Sequence, residues 1–165
     1  MRLYLTTLLL LLSVSLWAQG QDIESRYKQI DQAIAESPRY VAQREAKITS
    51  ARHAFEQTTG RQKFEEGYRL YELYRPLESD SAIWFIRQCV TLAEQLGDFS
   101  ASVRCRAQLA IRCTNIGMYD EALSILDSIR LPDPIEQNDL GMYYVAYNNV
   151  YSELSYYTRL GDMQK

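Results

Sequence analysis

The sequence predicts an all-α protein, built of antiparallel helix pairs stacked into an α-α solenoid. Three observations carry that prediction. Apolar residues recur at three- and four-residue spacings in stretch after stretch beyond residue 21, the period of a helix buried along one stripe. Only seven glycines and four prolines appear, which argues for helices with short connections. The stretch from Val103 to Glu136 reads as a helix, a tight glycine turn and a second helix, and the small residues Ala110 and Ala122 let the two arms approach closely.

The first twenty residues stand apart from this pattern. Arg2 is a minimal positive start, Leu3 to Leu12 form a leucine-rich core, and Ser13 to Gly20 descend into small and polar residues. Residues 1–20 therefore read as a secretory signal peptide. Cleavage after Gly20 puts Ala18 at the minus-three position; cleavage after Ala18 is the second choice. The competing reading is a membrane anchor, but Leu3 to Trp17 falls short of the roughly 20 residues that a spanning helix needs. No cysteine lies near the cleavage site, which excludes a lipoprotein anchor. The expectation is an exported protein, periplasmic or associated with the envelope.

Residues 21–60 are expected to form an N-terminal helical hairpin. Ile23, Tyr27, Ile30 and Ile34 mark its first arm. Ser37 as N-cap and Pro38 as first helical residue open the second. That arm runs to about Gln57 with Val41, Ile48, Ala51 and Phe55 on one face. Arg39, Arg44, Lys47 and Arg52 lie on the other, interrupted by Glu45; they read as a solvated face or as a patch for an anionic partner.

Residues 61–165 carry the repeats, the last of them incomplete. Thr58, Thr59 and Gly60 break the chain before a helix holding Phe64, Tyr68, Tyr71 and Tyr74, which Pro76 stops. Ser79 and Asp80 cap the next helix. In it Ala82, Ile86, Cys89, Ala93 and Leu96 form a stripe that Ile83, Phe85, Val90 and Leu92 broaden, so burial on more than one side is expected. Gly97 ends that helix and Asp98 leads into the Val103–Glu136 pair. There Gly117 supplies the left-handed turn, Asp120 and Glu121 favour the start of the second arm, and Leu126 and Ile129 extend its stripe to Pro132 and Pro134. A final helix from about Asn138 to Leu160 carries Tyr143, Tyr144, Tyr147, Tyr151, Tyr156 and Tyr157. Leu160-Gly161-Asp162 reads as a turn after it. That tyrosine face has no cover in the sequence. Another chain, possible self-association, or a longer protein would supply one.

Charge and chemistry narrow the function. A formal net charge of -3 gives no basic field, so nucleic acid is not an expected partner. His53, the one histidine, sits on the polar side of its helix, and Glu65-Glu66 and Asp120-Glu121 are helix neighbours that do not face each other. No glycine loop for phosphate, nucleophile elbow or zinc-binding helix motif is present, so no catalytic residue, cofactor or metal is assigned and the chain is not expected to be an enzyme. Cys105 and Cys113 lie roughly 12 Å apart along one helix, too far to bridge. Cys89 could reach either, and all three also read as buried small hydrophobes.

The Val103–Glu136 unit resembles a tetratricopeptide repeat (TPR). In its 34-residue register Leu109 and Ala110 fall at positions seven and eight, Gly117 at fifteen, Tyr119 at seventeen, Ala122 at twenty and Pro134 at thirty-two. Arg106 stands where the family often has an aromatic. The flanking units, judged from Ala82 and Gly161, are stretched to roughly 40 to 44 residues. The resemblance implies a right-handed superhelix whose first helices line a concave groove. The candidate groove residues it assigns are Arg104, Ala107, Ile111, Thr114 and Asn115 with Gln108 beside them, extended by Asn148 and Tyr151, with Arg159 beyond. A protein or peptide is the implied partner. Tyr143, Tyr147 and Tyr151, at four-residue spacing, read either as packing or as stacking surfaces for a glycan, and Trp84 as packing.

A wider stretch, QIDQAIAESPRYVAQREAKI from Gln29, LYELYRPLESDSAIWFIRQCVTLAEQLGD from Leu70 and NIGMYDEALSILDSI from Asn115, resembles the exported, TPR-containing regulatory proteins of Bacteroidetes. That resemblance implies the periplasmic sensory front of a signalling protein, whose span and C-terminal regulatory region would lie beyond Lys165. A carbohydrate-binding envelope component and a self-associating scaffold are the alternatives.

Overall fold

The computed structural model describes residues 2–131 and 133–162, with side chains described over 23–131 and 133–157. Among them all regular structure is helical: α1 (Arg2–Gln57), α2 (Gly60–Tyr74), α3 (Ser79–Gln95), α4 (Phe99–Asn115), α5 (Tyr119–Asp127) and α6 (Gln137–Asp162). The chain divides into two compact units, Met1–Glu45 and Ala46–Lys165.

In the first unit the expected hairpin does not form. The helix continues through Ser37 and Pro38, so Ser37 is no N-cap and Pro38 is an interior proline. An interior proline costs a helix about 3 kcal/mol or more, because it removes one backbone donor and crowds the preceding turn. Side-chain bonds four residues apart brace the helix there, from Gln32 to Glu36 (3.0 Å) and from Tyr40 to Glu36 (3.3 Å). The apolar stripe of this arm is exposed, Ile23 at 54% and Ile34 at 64%.

The second unit is a layered array. α2 pairs with α3 and α4 with α5, α3 packs on α4, and α6 lies against both α4 and α5. The sequence stripes become one core: Ala51, Leu70, Tyr71, Ala82, Ile86, Cys89, Ala110, Ala122, Leu126 and Val150 are all buried. α3 is buried on two sides, as its broad stripe requires. A side chain at Gly67 would meet Phe55 Cε2 at 3.0 Å and Cys89 Sγ at 3.2 Å, so this helix interior uses glycine for close approach.

Turn chemistry follows the sequence at two points and departs from it at others. Gly97 and Gly117 take φ of 65° and 81°, the left-handed conformation that lets the chain reverse. Asp98 caps α4, its carboxylate accepting from Ala101 N at 2.9 Å. Ser79 lies inside α3 instead of capping it; Glu78 is the flanking residue, and its carboxylate accepts from Ser81 Oγ. α5 ends at Asp127, before the prolines. The Ser128 hydroxyl donates back to Ile125 O at 2.6 Å and accepts from Arg106 at 2.6 Å, closing the last turn early. Pro132 lies outside the described residues. α6 runs through Gly161 to Asp162, where a turn was expected. A glycine costs a helix only about 1 kcal/mol against alanine and does not by itself end one.

Candidate functional site

The face formed by α2, α4 and α6, the first helices of successive pairs, is where the candidate groove residues fall. Its side chains are laced to one another. Tyr71 of α2 donates its hydroxyl to Gln108 Oε1 of α4 at 2.8 Å, and Gln108 Nε2 donates to Met142 sulfur of α6 at 3.3 Å. Burial pushes the Tyr71 hydroxyl up to about 12, so it stays a donor at any physiological pH.

A second link joins α4 to α6. Arg104 donates to Asp139 Oδ1 at 2.9 Å and to Ser100 Oγ at 3.0 Å, and Ser100 also bonds Asp139. Asp139 is 1% exposed and lies in the first turn of α6, where a carboxylate opposes the helix dipole favourably. Partial burial disfavours the Arg104 charge, yet the bond and charge of Asp139 raise its pKa above the ordinary value. The cation expected to face a ligand therefore has an internal partner.

The other candidates separate. Thr114 is buried and donates to Ala110 O at 2.9 Å, and Ala107 is fully buried, so neither presents a group to solvent. The physical reason is that α4 is packed against three neighbours, α3, α5 and α6. Ile111 is half-buried against the core. The Asn115 amide, oriented to satisfy both neighbours, donates to Ile111 O at 3.2 Å and accepts from Arg112 at 2.9 Å. Asn148 is exposed and Tyr151 is 57% exposed. The side chain of Arg159 lies outside the described residues.

The tyrosine ladder divides in two. Tyr147 donates to Asp127 Oδ1 of α5 at 2.6 Å and serves packing; burial, then that bond, raises its pKa. Tyr151 stacks on it, rings 6.1 Å apart and 14° from parallel, with its outer face open. Tyr144, Tyr156 and Tyr157 are exposed as well. Trp84, expected as packing, contacts Phe85 edge-on at 4.7 Å while remaining 50% exposed.

Sequence reasoning missed Asp139, Tyr71 and Met142 as partners of the groove residues. A carboxylate two residues into a helix was a visible signal for Asp139; which arginine it would meet was not. At the N-terminal ends of α2, α4 and α6 lies an open cavity of about 430 Å³, lined by Arg61, Gly97, Asp98, Ser100, Glu136 and Asp139. Arg61 and Asp98 pair across it at 2.6 Å, and Phe99 beside it is 71% exposed. The thiols of Cys89, Cys105 and Cys113 are free and buried. Among the described residues no cluster of metal-ligating side chains occurs, and no helix is long and apolar enough to cross a membrane. What this face offers is a rigid, laced surface with polar and aromatic groups at its outer layer.

A protein-family model described as the SusR N-terminal TPR domain matches residues 34–165. No curated protein and no solved structure matches the chain.

Proposed function

The chain belongs to the SusR N-terminal TPR domain family, and on that premise we propose that it is the sensory front of a signalling or regulatory protein, working outside the cytoplasmic membrane. The TPR fold makes it a protein-interaction module. Its part is to bind and not to catalyse. The observation that carries this reading is the family match, which takes in the whole α2–α4–α6 face. Support comes from the lacing of that face: Tyr71–Gln108–Met142 and Arg104–Asp139 hold it rigid, so its outer groups need little ordering when a protein or peptide docks. The leucine-rich first twenty residues support export.

A photo-crosslinking residue placed at Asn148 or Tyr151 in the source organism tests both parts. The expected result is a discrete protein adduct recovered with the periplasm or envelope. Recovery in the cytoplasm would overturn the location, and no adduct from either position would overturn the groove.

A second reading, carbohydrate binding, is favoured by the open rings of Tyr144 and Tyr151. Glycan binding abolished by joint Tyr144→Ala and Tyr151→Ala replacement would support it, and silence across a glycan panel would reject it. Self-association through α6 is tested by light scattering at two concentrations, where a strict monomer rules it out.

A further inference from the structure

The second unit carries a notch, lined by none of the laced residues, that the proposed function leaves unused. It lies between the end of α1 and α3, has a volume of about 290 Å³, and is lined by Arg52, Phe55, Glu56, Ser81, Trp84 and Phe85. All six belong to the second unit. Phe55 and Phe85 form the floor at 8% and 5% exposure, with ring centres 5.6 Å apart, and Trp84 stands half exposed as a wall.

Arg52 is the unusual member. Its Nε donates to Tyr74 Oη at 2.8 Å, and its guanidinium lies 5.4 Å from the Tyr74 ring centre and 5.8 Å from that of Phe85. Six other arginines of this unit are paired with carboxylates. Arg52 has no such partner among the described residues, although Glu56 follows four residues later. Its fork is thus held in place by one hydroxyl and two rings, with its terminal N–H groups uncommitted. A guanidinium fixed in this way loses little freedom when it takes a carboxylate through two parallel bonds.

We propose that this notch is a second binding site, which takes a peptide segment of a partner protein carrying an acidic residue beside an aromatic or leucine side chain. The volume lies just below the range of small-molecule pockets and suits one anchoring side chain. Trp84 and Arg52 are the residue types that dominate interface energies. The partner carboxylate pairs with Arg52, the apolar anchor lies on Phe55 and Phe85 against Trp84, and Glu56 on the rim accepts a backbone N–H and repels a second acid. Ser81 donates to Glu78 and contributes shape only.

The experiment is selection of a displayed random decapeptide library on the immobilised full chain, followed by titration of the enriched peptides against variants. The expected result is enrichment of an acidic residue next to an aromatic or leucine, with binding weakened at least tenfold by Trp84→Ala and by Arg52→Lys. Arg52→Lys keeps the charge and stem but not the fork. Gln108→Ala, on the laced face, leaves these peptides bound, which separates this site from the proposed groove. Melting by circular dichroism identifies any unfolded variant; with Trp17→Phe in place, Trp84 emission shifts on binding in the folded protein. Enriched peptides without an acid, binding indifferent to both variants, no Trp84 shift, or no enrichment would each overturn the proposal.

Discussion

Gly117 turns the chain between α4 and α5 at φ of 81°, and a Cβ there would meet nothing within 4 Å. The cost of replacing it is therefore conformational and not steric. Gly117→Val is expected to destabilise by about 1 to 3 kcal/mol, read as a lower melting midpoint, because a β-branched residue is forced to positive φ. An unchanged midpoint would remove this turn from the account. At the same scale, the three cysteines are buried, which shields them from reagents. The bond to Cys105 and then burial raise the Cys89 thiol pKa, and burial raises that of Cys113. Since the thiolate is the reactive form, the expected outcome is no labelling by iodoacetamide at neutral pH until denaturant is added. Prompt labelling of the native protein would contradict this packing. Burial of these thiols was legible from their place on apolar stripes; that the Cys89 thiol donates to Phe64 O of α2 was not, because that partner depends on how α2 and α3 cross.

α4 shows how an element is set by its ends. Asp98 accepts from Ala101 N inside the first turn and from Arg61 of α2 at 2.6 Å. Asp98→Ala is expected to cost about 1 kcal/mol, the usual value of an N-cap, measured by denaturant unfolding. The backbone bond from Ala101, then Arg61, holds the Asp98 carboxyl below its ordinary value. Its stabilising contribution is then complete above the unfolded carboxyl value of about 3.9 and is lost as pH falls through the lower folded value. Asp98→Ala should flatten the loss of stability in that acid window; an identical acid profile would show that the carboxylate does not act this way. The tripeptide Leu-Gly-Asp occurs twice, at Leu96–Asp98 and Leu160–Asp162. The first ends α3 with Gly97 at φ of 65°, and the second is helical. Identical local sequence thus takes two conformations, since at the first site Asp98 caps a helix that packs back on α3. Pro38 teaches the same lesson from the other side, a nominal breaker inside a continuous helix.

At the scale of the molecule, the core residues from Ala51 to Val150 all lie in the unit beginning at Ala46. A fragment of residues 46–165 is therefore expected to fold by itself, with a cooperative thermal transition and a strongly helical circular dichroism spectrum. A spectrum without a transition would show that residues before 46 are required for the core. Solenoid stability is a sum over neighbouring layers, and here the layers α2/α3, α4/α5 and α6 supply it. The lacing of α2, α4 and α6 also explains why the candidate groove was only partly legible. Of the residues that the repeat register assigns to a groove, Thr114 and Ala107 are buried and Arg104 is held by Asp139 of α6, outcomes that depend on how α4 packs against its neighbours.

By itself, the sequence determined the helical class, the positions of α2 to α6 within a few residues, the glycine turns at Gly97 and Gly117, and the stripes that became the core. These are local properties, fixed by 3.6-residue periodicity and by the freedom of glycine at positive φ. Only the tertiary structure decided that residues 21–57 form no hairpin, that Asp139 takes Arg104, and that Arg52 bonds Tyr74, with no carboxylate partner among the described residues, beside a half-exposed Trp84. Those outcomes depend on which helix faces which, and a side chain's partner across that distance is set by packing of the whole unit and not by its neighbours in the chain.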